Sequence, residues 1–161
     1  MPTNFPMPGQ DKVRDVLVDL MGRSVTVSRA ATEPLDGSKP SALADYQSDT
    51  GAIGVLCVAD VALTNALGAA LTMVAPAIVE DAVAKRTIDE PTIDNFREVV
   101  NVLTSLFNTV DTPHVKFHEV HKLPSQLPPE TARLLDAPRG RRDFEVQVED
   151  YGSGRLSVLL G

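Results

Sequence analysis

The sequence predicts an α+β domain in which long helices pack on an antiparallel β-sheet. Three observations carry this. Residues 11–21 and 92–108 repeat apolar side chains at helical spacing. Shorter segments are alternating or continuously apolar over strand lengths, as in S-V-T-V-S at 24–28 and G-A-I-G-V-L-C-V-A at 51–59. Near the C terminus, residues 144–148 and 156–160 flank D-Y-G-S-G, a hairpin signal that sets neighbouring strands antiparallel.

Each element follows in order. Residues 1–9 hold three prolines and are expected to form a flexible N-terminal arm, leaving 10–161 as a single domain. The first helix, 11–21, turns Val13, Val16, Leu17 and Leu20 inward and stops at Gly22. Val25 and Val27 alternate with polar residues in a strand, and the Pro-, Gly- and Ser-rich stretch 31–40 is a loop. A short strand is expected at 43–46 and a buried one at 51–59. Asp60 caps a helix running to about Met73, and Pro76 opens another that ends near Lys85. After the helix at 92–108 come a strand at 115–120, a short helix in P-P-E-T-A-R-L-L-D-A, and the hairpin.

Bulk properties bound the function. At 161 residues, with 43% hydrophobic and 23% charged residues, the chain can bury one proper core. The formal net charge of -7 argues against nucleic-acid binding, which needs a basic surface, and leaves protein partners open. The apolar stretch 61–79 is broken by Asn65 and Pro76, so no membrane span is expected. The N terminus lacks a basic start and an apolar core of a secretory signal, and Cys57 is the only cysteine, expected as a buried thiol. These features point to the cytoplasm. A homodimer is compatible with the sequence. In H-V-K-F-H-E-V-H, strand alternation puts His114 and His118 on one face, about 13 Å apart, and His121 on the other, so no metal site is expected. R-G-R-R at 139–142 is expected to be a solvated basic loop, and G-A-I-G lacks the lysine of a nucleotide loop. No Ser-His-Asp or Cys-His arrangement is evident.

The informative feature lies in D-N-F-R-E-V-V-N at 94–101. A helix turns about 100° per residue, so Asp94, Glu98 and Asn101 share one narrow arc. Phe96, Val99, Val100, Leu103, Leu106 and Phe107 form the opposite, inward arc. An asparagine in mid-helix has no capping role and is a mediocre helix former. Its amide can donate and accept hydrogen bonds and so align a water molecule, although it does not titrate. A water held in line with a phosphoryl group needs positioning more than it needs a strong base.

With Pro124 after 22 intervening residues, the spacing D/S-x3-E-x2-N-x22-P resembles that of the CheC/CheX family of chemotaxis phosphatases. The resemblance implies a CheC/CheX-like fold, shared with the FliM middle domain. It also implies hydrolysis of aspartyl phosphate on a CheY-like response-regulator receiver domain. Asn101 would orient the attacking water and Glu98 would engage the regulator's active-site lysine, with Asp94 and Pro124 as supporting motif residues. The chain itself would bind no cofactor; Mg²⁺ would come with the phosphorylated partner. Ser105 stands where family members often carry a glycine, and with Val102 it is a candidate contact to the receiver. A non-catalytic adaptor or flagellar-switch-like protein on the same fold is the alternative.

A repeat underlies the chain. Shifted by 83 residues, the first helix overlays the second: Val13, Val16, Leu17 and Leu20 fall on Phe96, Val99, Val100 and Leu103. Asp11, Arg14 and Asp15 fall on Asp94, Arg97 and Glu98, but Val18 falls on Asn101. The resemblance implies a duplicated unit with one intact motif and a silenced first copy.

Overall fold

The computed structural model describes residues 5–35, 37–109 and 113–161. Six strands, β1 (Val25–Arg29), β2 (Ser41–Ser48), β3 (Ile53–Asp60), β4 (Val115–Leu123), β5 (Gly140–Val148) and β6 (Gly152–Leu160), form one sheet. Its order is β1-β5-β6-β3-β2-β4, and every neighbouring pair is antiparallel. Helices α1 (Gln10–Met21), α2 (Val61–Thr72), α3 (Pro76–Lys85) and α4 (Glu90–Leu103) belong to one side, and α5 (Pro129–Asp136) to the other. A 3-10 turn, Thr104–Leu106, follows α4. This is the α+β architecture expected from the sequence.

Reversing the strand order exchanges β1 with β4, β5 with β2 and β6 with β3. Element by element, α1-β1-β2-β3 therefore repeats as α4-β4-β5-β6, and the 83-residue echo between the two helices is part of a duplicated fold. The helix-bearing face contributes Ala42, Ala44 and Tyr46 of β2, Val55, Cys57 and Ala59 of β3, and Phe144 and Val146 of β5 to the main core. These meet Val13 and Leu17 of α1, Leu63 and Leu67 of α2, and Phe96, Val99 and Val100 of α4. Burial pushes the Cys57 thiol up to about 12, as befits an inert core residue.

The second face explains where strand lengths were underestimated. β2 runs eight residues rather than four, and Ser41 to Tyr46 are all buried. Leu43, Leu56, Val58, Leu123 and Leu159 on that face are covered by Leu134 and Leu135 of α5. A strand covered on both sides loses the polar-apolar alternation that marks a half-exposed one. Two acids are buried there as well. Asp143 takes bonds from Arg141 and Ser157, and Arg155 lies 3.6 Å away. Burial opposes its ionisation, but the bonds from Arg141 and Ser157 outweigh it and hold the carboxyl below its ordinary value. After Arg139, R-G-R-R thus enters strand β5 and is not a solvated loop: Arg141 serves Asp143, and Arg142 donates to the Pro8 carbonyl. Of the expected arm, Phe5 is buried with its ring over Gly54.

Asp45, 1% exposed, overturns the expected histidine geometry. Its Oδ1 lies 2.9 Å from Nδ1 of His118 and its Oδ2 lies 2.8 Å from Nε2 of His121. The β2–β4 register shifts between Asp45 and Tyr46, pairing them with Glu119 and Phe117 and leaving His118 as the extra residue of a bulge. The bulge turns His118 onto the face of His121, which simple alternation forbids.

Asp60 caps α2 as expected, accepting from the Leu63 N–H at 2.8 Å. Gly154 of β6 makes this junction fit, because a Cβ there would come within 2.4 Å of Asp60 Oδ1 and 2.5 Å of Leu63 N. Gly154→Ala is expected to cost about 2–3 kcal/mol, combining overpacking with loss of the cap. Urea denaturation checks it: a midpoint equal to wild type would mean that the junction gives way without loss.

Candidate functional site on helix α4

Helix α4 begins two residues earlier than its apolar period suggests. Asp89 is the N-cap, its Oδ1 accepting from the Thr92 N–H at 2.9 Å, and Pro91 sits in the first turn, where no donor is needed. Ile93, Phe96, Val99, Val100 and Leu103 are buried, and Asp94, Glu98 and Asn101 are exposed. Leu106 and Phe107 are buried beyond the helix end, so the inward arc is occupied as its spacing requires.

The exposed residues differ in their partners. Asp94 Oδ1 binds Arg97 Nη1 at 2.7 Å, and Arg97 Nε reaches Glu119 Oε1 on β4 at 3.4 Å. Arg97 is thus shared between its own helix and the sheet. Among the described residues, the side chains of Glu98 and Asn101 have no hydrogen-bond or ion-pair partner. The duplicated helix α1 contrasts with this. Arg14, the counterpart of Arg97, pairs with both Asp11 at 3.5 Å and Asp15 at 3.0 Å. Both acids of the first copy are engaged, whereas the second copy keeps one carboxylate and one carboxamide uncommitted.

Val102 is 39% exposed and Ser105 is exposed, so both border the same arc. Ser105 Oγ donates to the Val102 carbonyl at 3.2 Å, within the 3-10 turn. Pro124 is not brought to this cluster. Arg97 meets Glu119, and the five residues from there to Pro124 carry the chain roughly 16 Å toward the start of α4. The attraction between Lys122 and Asp89 marks that end. Pro124, exposed and preceded by a cis peptide bond, lies with the helix start, away from Asn101.

Three contacts that sequence reasoning missed seat the helix. Asn95 Nδ2 donates to the Gly68 carbonyl at 3.0 Å and lies 3.2 Å from Thr72 Oγ1, both on α2. Asn108 makes a two-way bridge to Val115, donating to its carbonyl and accepting from its N–H, both at 2.8 Å. Tyr46, fully buried on β2, donates its hydroxyl to the Val100 carbonyl at 2.6 Å. The Thr104 N–H, which a continuing helix would send to that carbonyl, turns to Asn101 instead. Tyr46 therefore fills the acceptor position vacated where α4 tightens into the 3-10 turn. No sequence signal marks this pairing across 54 residues.

On the opposite face of the sheet, a cavity of about 150 Å³ is lined by Leu35, Val58, Leu123 and Leu135 with Arg141 and Arg155. Its arginines are already engaged with Asp143.

Solved structures place this architecture. FliY of Thermotoga maritima superposes with a TM-score of 0.61 at 16% identity, covering 94% of this chain and 89% of FliY. The FliM middle domain of H. pylori gives 0.61 at 7% identity, covering 94% and 84%. The chain has the FliM-middle-domain fold, the one that the CheC/CheX resemblance implies. A chemotaxis protein CheX from Desulfovibrio desulfuricans aligns over 92% of this chain and 93% of its own at 12% identity, with a TM-score of 0.45. No protein-family model and no curated protein sequence matches the chain. No helix among the described residues is long and apolar enough to cross a membrane.

Bonds from the Thr92 hydroxyl and N–H hold the Asp89 carboxyl below its ordinary value. A depressed folded value means that the cap stabilises above the unfolded carboxylate range and is lost as pH falls through the folded one. Asp89→Ala should cost about 1 kcal/mol at neutral pH. The gap to wild type should narrow as the pH falls below about 4. Thermal melts across pH 2–7 test this; a gap independent of pH would assign the loss to something other than the charged cap.

Proposed function

We propose that this protein hydrolyses aspartyl phosphate on a receiver domain of the CheY-like response-regulator type. The observation that carries the proposal is the uncommitted pair Glu98 and Asn101, exposed side by side on a helix whose other face is fully packed. The chemistry asks little of the chain beyond position. Water oxygen attacks phosphorus and the bond from phosphorus to the aspartyl oxygen breaks. The products are inorganic phosphate and a free carboxylate, and the water's proton passes to the phosphate. Asn101 accepts a hydrogen bond from that water and donates one toward the phosphoryl oxygens, holding the attack in line. Glu98 offers a carboxylate to the receiver's lysine and so fixes the register of docking. Mg²⁺ belongs to the acidic pocket of the receiver. Among the described residues no group of three or more His, Cys, Asp or Glu could hold a metal. The reading supports a cytoplasmic place in chemotaxis or a related two-component pathway.

A second reading rests on the comparisons. FliM of H. pylori has been crystallised with FliG and with SpeE, and its middle domain has the present fold. A scaffold that binds a receiver or a flagellar component without chemistry would use the same helix face as a docking ridge. Phosphate release separates the two readings, because a scaffold binds without turnover.

Asn101→Ala should abolish stimulated phosphate release from phosphorylated receivers and leave the melting temperature unchanged, since the residue is exposed and its loss opens no cavity. Asn101→Gln should restore little, because a longer arm moves the amide by about an ångström. Asp15→Ala and Val18→Ala in the duplicated helix should keep near-wild-type rates. Equal release by wild type and Asn101→Ala would remove the enzymatic reading.

Docking is tested separately at Val102. Val102→Lys should weaken receiver binding roughly tenfold or more, through a charge desolvated at the contact, without lowering thermal stability. Titration by fluorescence anisotropy reads the affinity. Unchanged binding would take Val102 out of the interface.

A further inference from the structure

We infer that Tyr46 is a positioning residue for Asn101, its buried hydroxyl fixing the turn that presents the amide. The inference rests on the phosphatase reading and adds to it a residue outside the motif, 55 positions before the asparagine in the chain.

The geometry is specific. Tyr46 is 0% exposed, and its ring packs at 5.4 Å from Phe107 and 6.1 Å from Phe117. Its hydroxyl bonds the carbonyl of Val100, the residue directly before Asn101. That carbonyl lies within the protein, so without the phenol it would keep no partner unless the backbone moved. The simplest movement is for the Thr104 N–H to return from Asn101 to Val100, converting the 3-10 turn back to α-helix. Such a change alters the pitch at Asn101 itself. Burial raises the Tyr46 phenol well above its ordinary value, so it remains a donor throughout the working pH range.

The duplicated half argues in the same direction. Strand β5, the counterpart of β2, contains no tyrosine, and α1 ends on Gly22 in the left-handed conformation at φ 64°. The tether and the 3-10 ending occur only in the half that carries the intact amide. A device that merely joined helix to sheet would serve both halves equally.

Tyr46→Phe keeps the ring and its packing and removes only the hydroxyl. Receiver domains phosphorylated with phosphoramidate serve as the probe. With a receiver that wild type dephosphorylates, kcat should fall roughly tenfold, with KM within about twofold, since misplacement by a fraction of an ångström acts on the reacting geometry and not on docking. Phe107→Leu is the control: it should lower the melting temperature at least as much as Tyr46→Phe and keep kcat near wild type. Hydrogen exchange is read alongside. The amides of Thr104 and Ser105 change their acceptors when the turn reverts to α-helix, so their exchange rates should shift at least tenfold in Tyr46→Phe, while those of residues 94–98 are unchanged. A wild-type kcat in Tyr46→Phe, or an equal kcat loss in Phe107→Leu, overturns the inference. Unchanged exchange at Thr104 and Ser105 overturns it even if no receiver is dephosphorylated by wild type. That last result with wild type would itself count against the phosphatase reading, so the two failures are told apart.

Discussion

A single hydrogen bond, from the Tyr46 hydroxyl to the Val100 carbonyl, sets where helix α4 stands on the sheet and where it ends. Apolar packing alone would press the stripe of Phe96, Val99, Val100 and Leu103 onto β2 and β4, but dispersion and burial are not directional. The bond supplies direction. It joins the middle of a strand that is buried on both faces to the last α-helical turn, and the chain beyond that point is held by Asn108 on Val115. At the other side, Asn95 on Gly68 sets the spacing to α2. Three polar contacts therefore locate the helix along, across and at the end of its apolar bed. The outward residues are as fixed as the inward ones.

The duplicated architecture provides an internal comparison, because both halves use the same helix-then-three-strands unit. Their apolar registers agree, yet their polar registers diverge. In α1 one arginine pairs with both acids, and an ion pair between exposed side chains contributes little stability. The first copy thus has a self-contained, solvated helix surface. In α4 the equivalent arginine is drawn toward Glu119 on β4 and toward Asp94, and Glu98 is left over. The difference turns on one residue of another strand. Without Glu119, Arg97 would be free to pair with both acids of α4 as Arg14 does in α1.

Much of this was legible in the sequence, and the misses have physical causes. The α4 arc was legible because an amphipathic helix writes its inward and outward faces at a fixed angular step, and residues 94–107 obey it throughout. The α2 start was legible because Asp60 precedes an apolar run. The length of β2 was hidden by cover on both faces, which erases alternation. The histidine geometry was hidden by a bulge, since one extra residue at His118 exchanges faces for everything after it. Tyr46 and Glu119 were hidden for a deeper reason. Each acts on α4 through strand register and helix placement, and neither has a local pattern that betrays it. The exposed arc of α4 was thus readable, and the residues that hold it in place were not.

The choice between catalyst and scaffold also turns on those supporting residues. A docking ridge tolerates a helix that slides or frays by an ångström, because a contact of many side chains can repack. Positioning a water does not, since the reacting atoms leave no such freedom. Fixing α4 by three directed bonds, and ending it in a 3-10 turn that begins three residues past Asn101, exceeds what a ridge requires. It also leaves two buried polar groups to be matched, the Tyr46 hydroxyl and the Val100 carbonyl, where a Phe and a continuing helix would bury none. On the phosphatase reading, a need for position at Asn101 is what sustains such a buried pair.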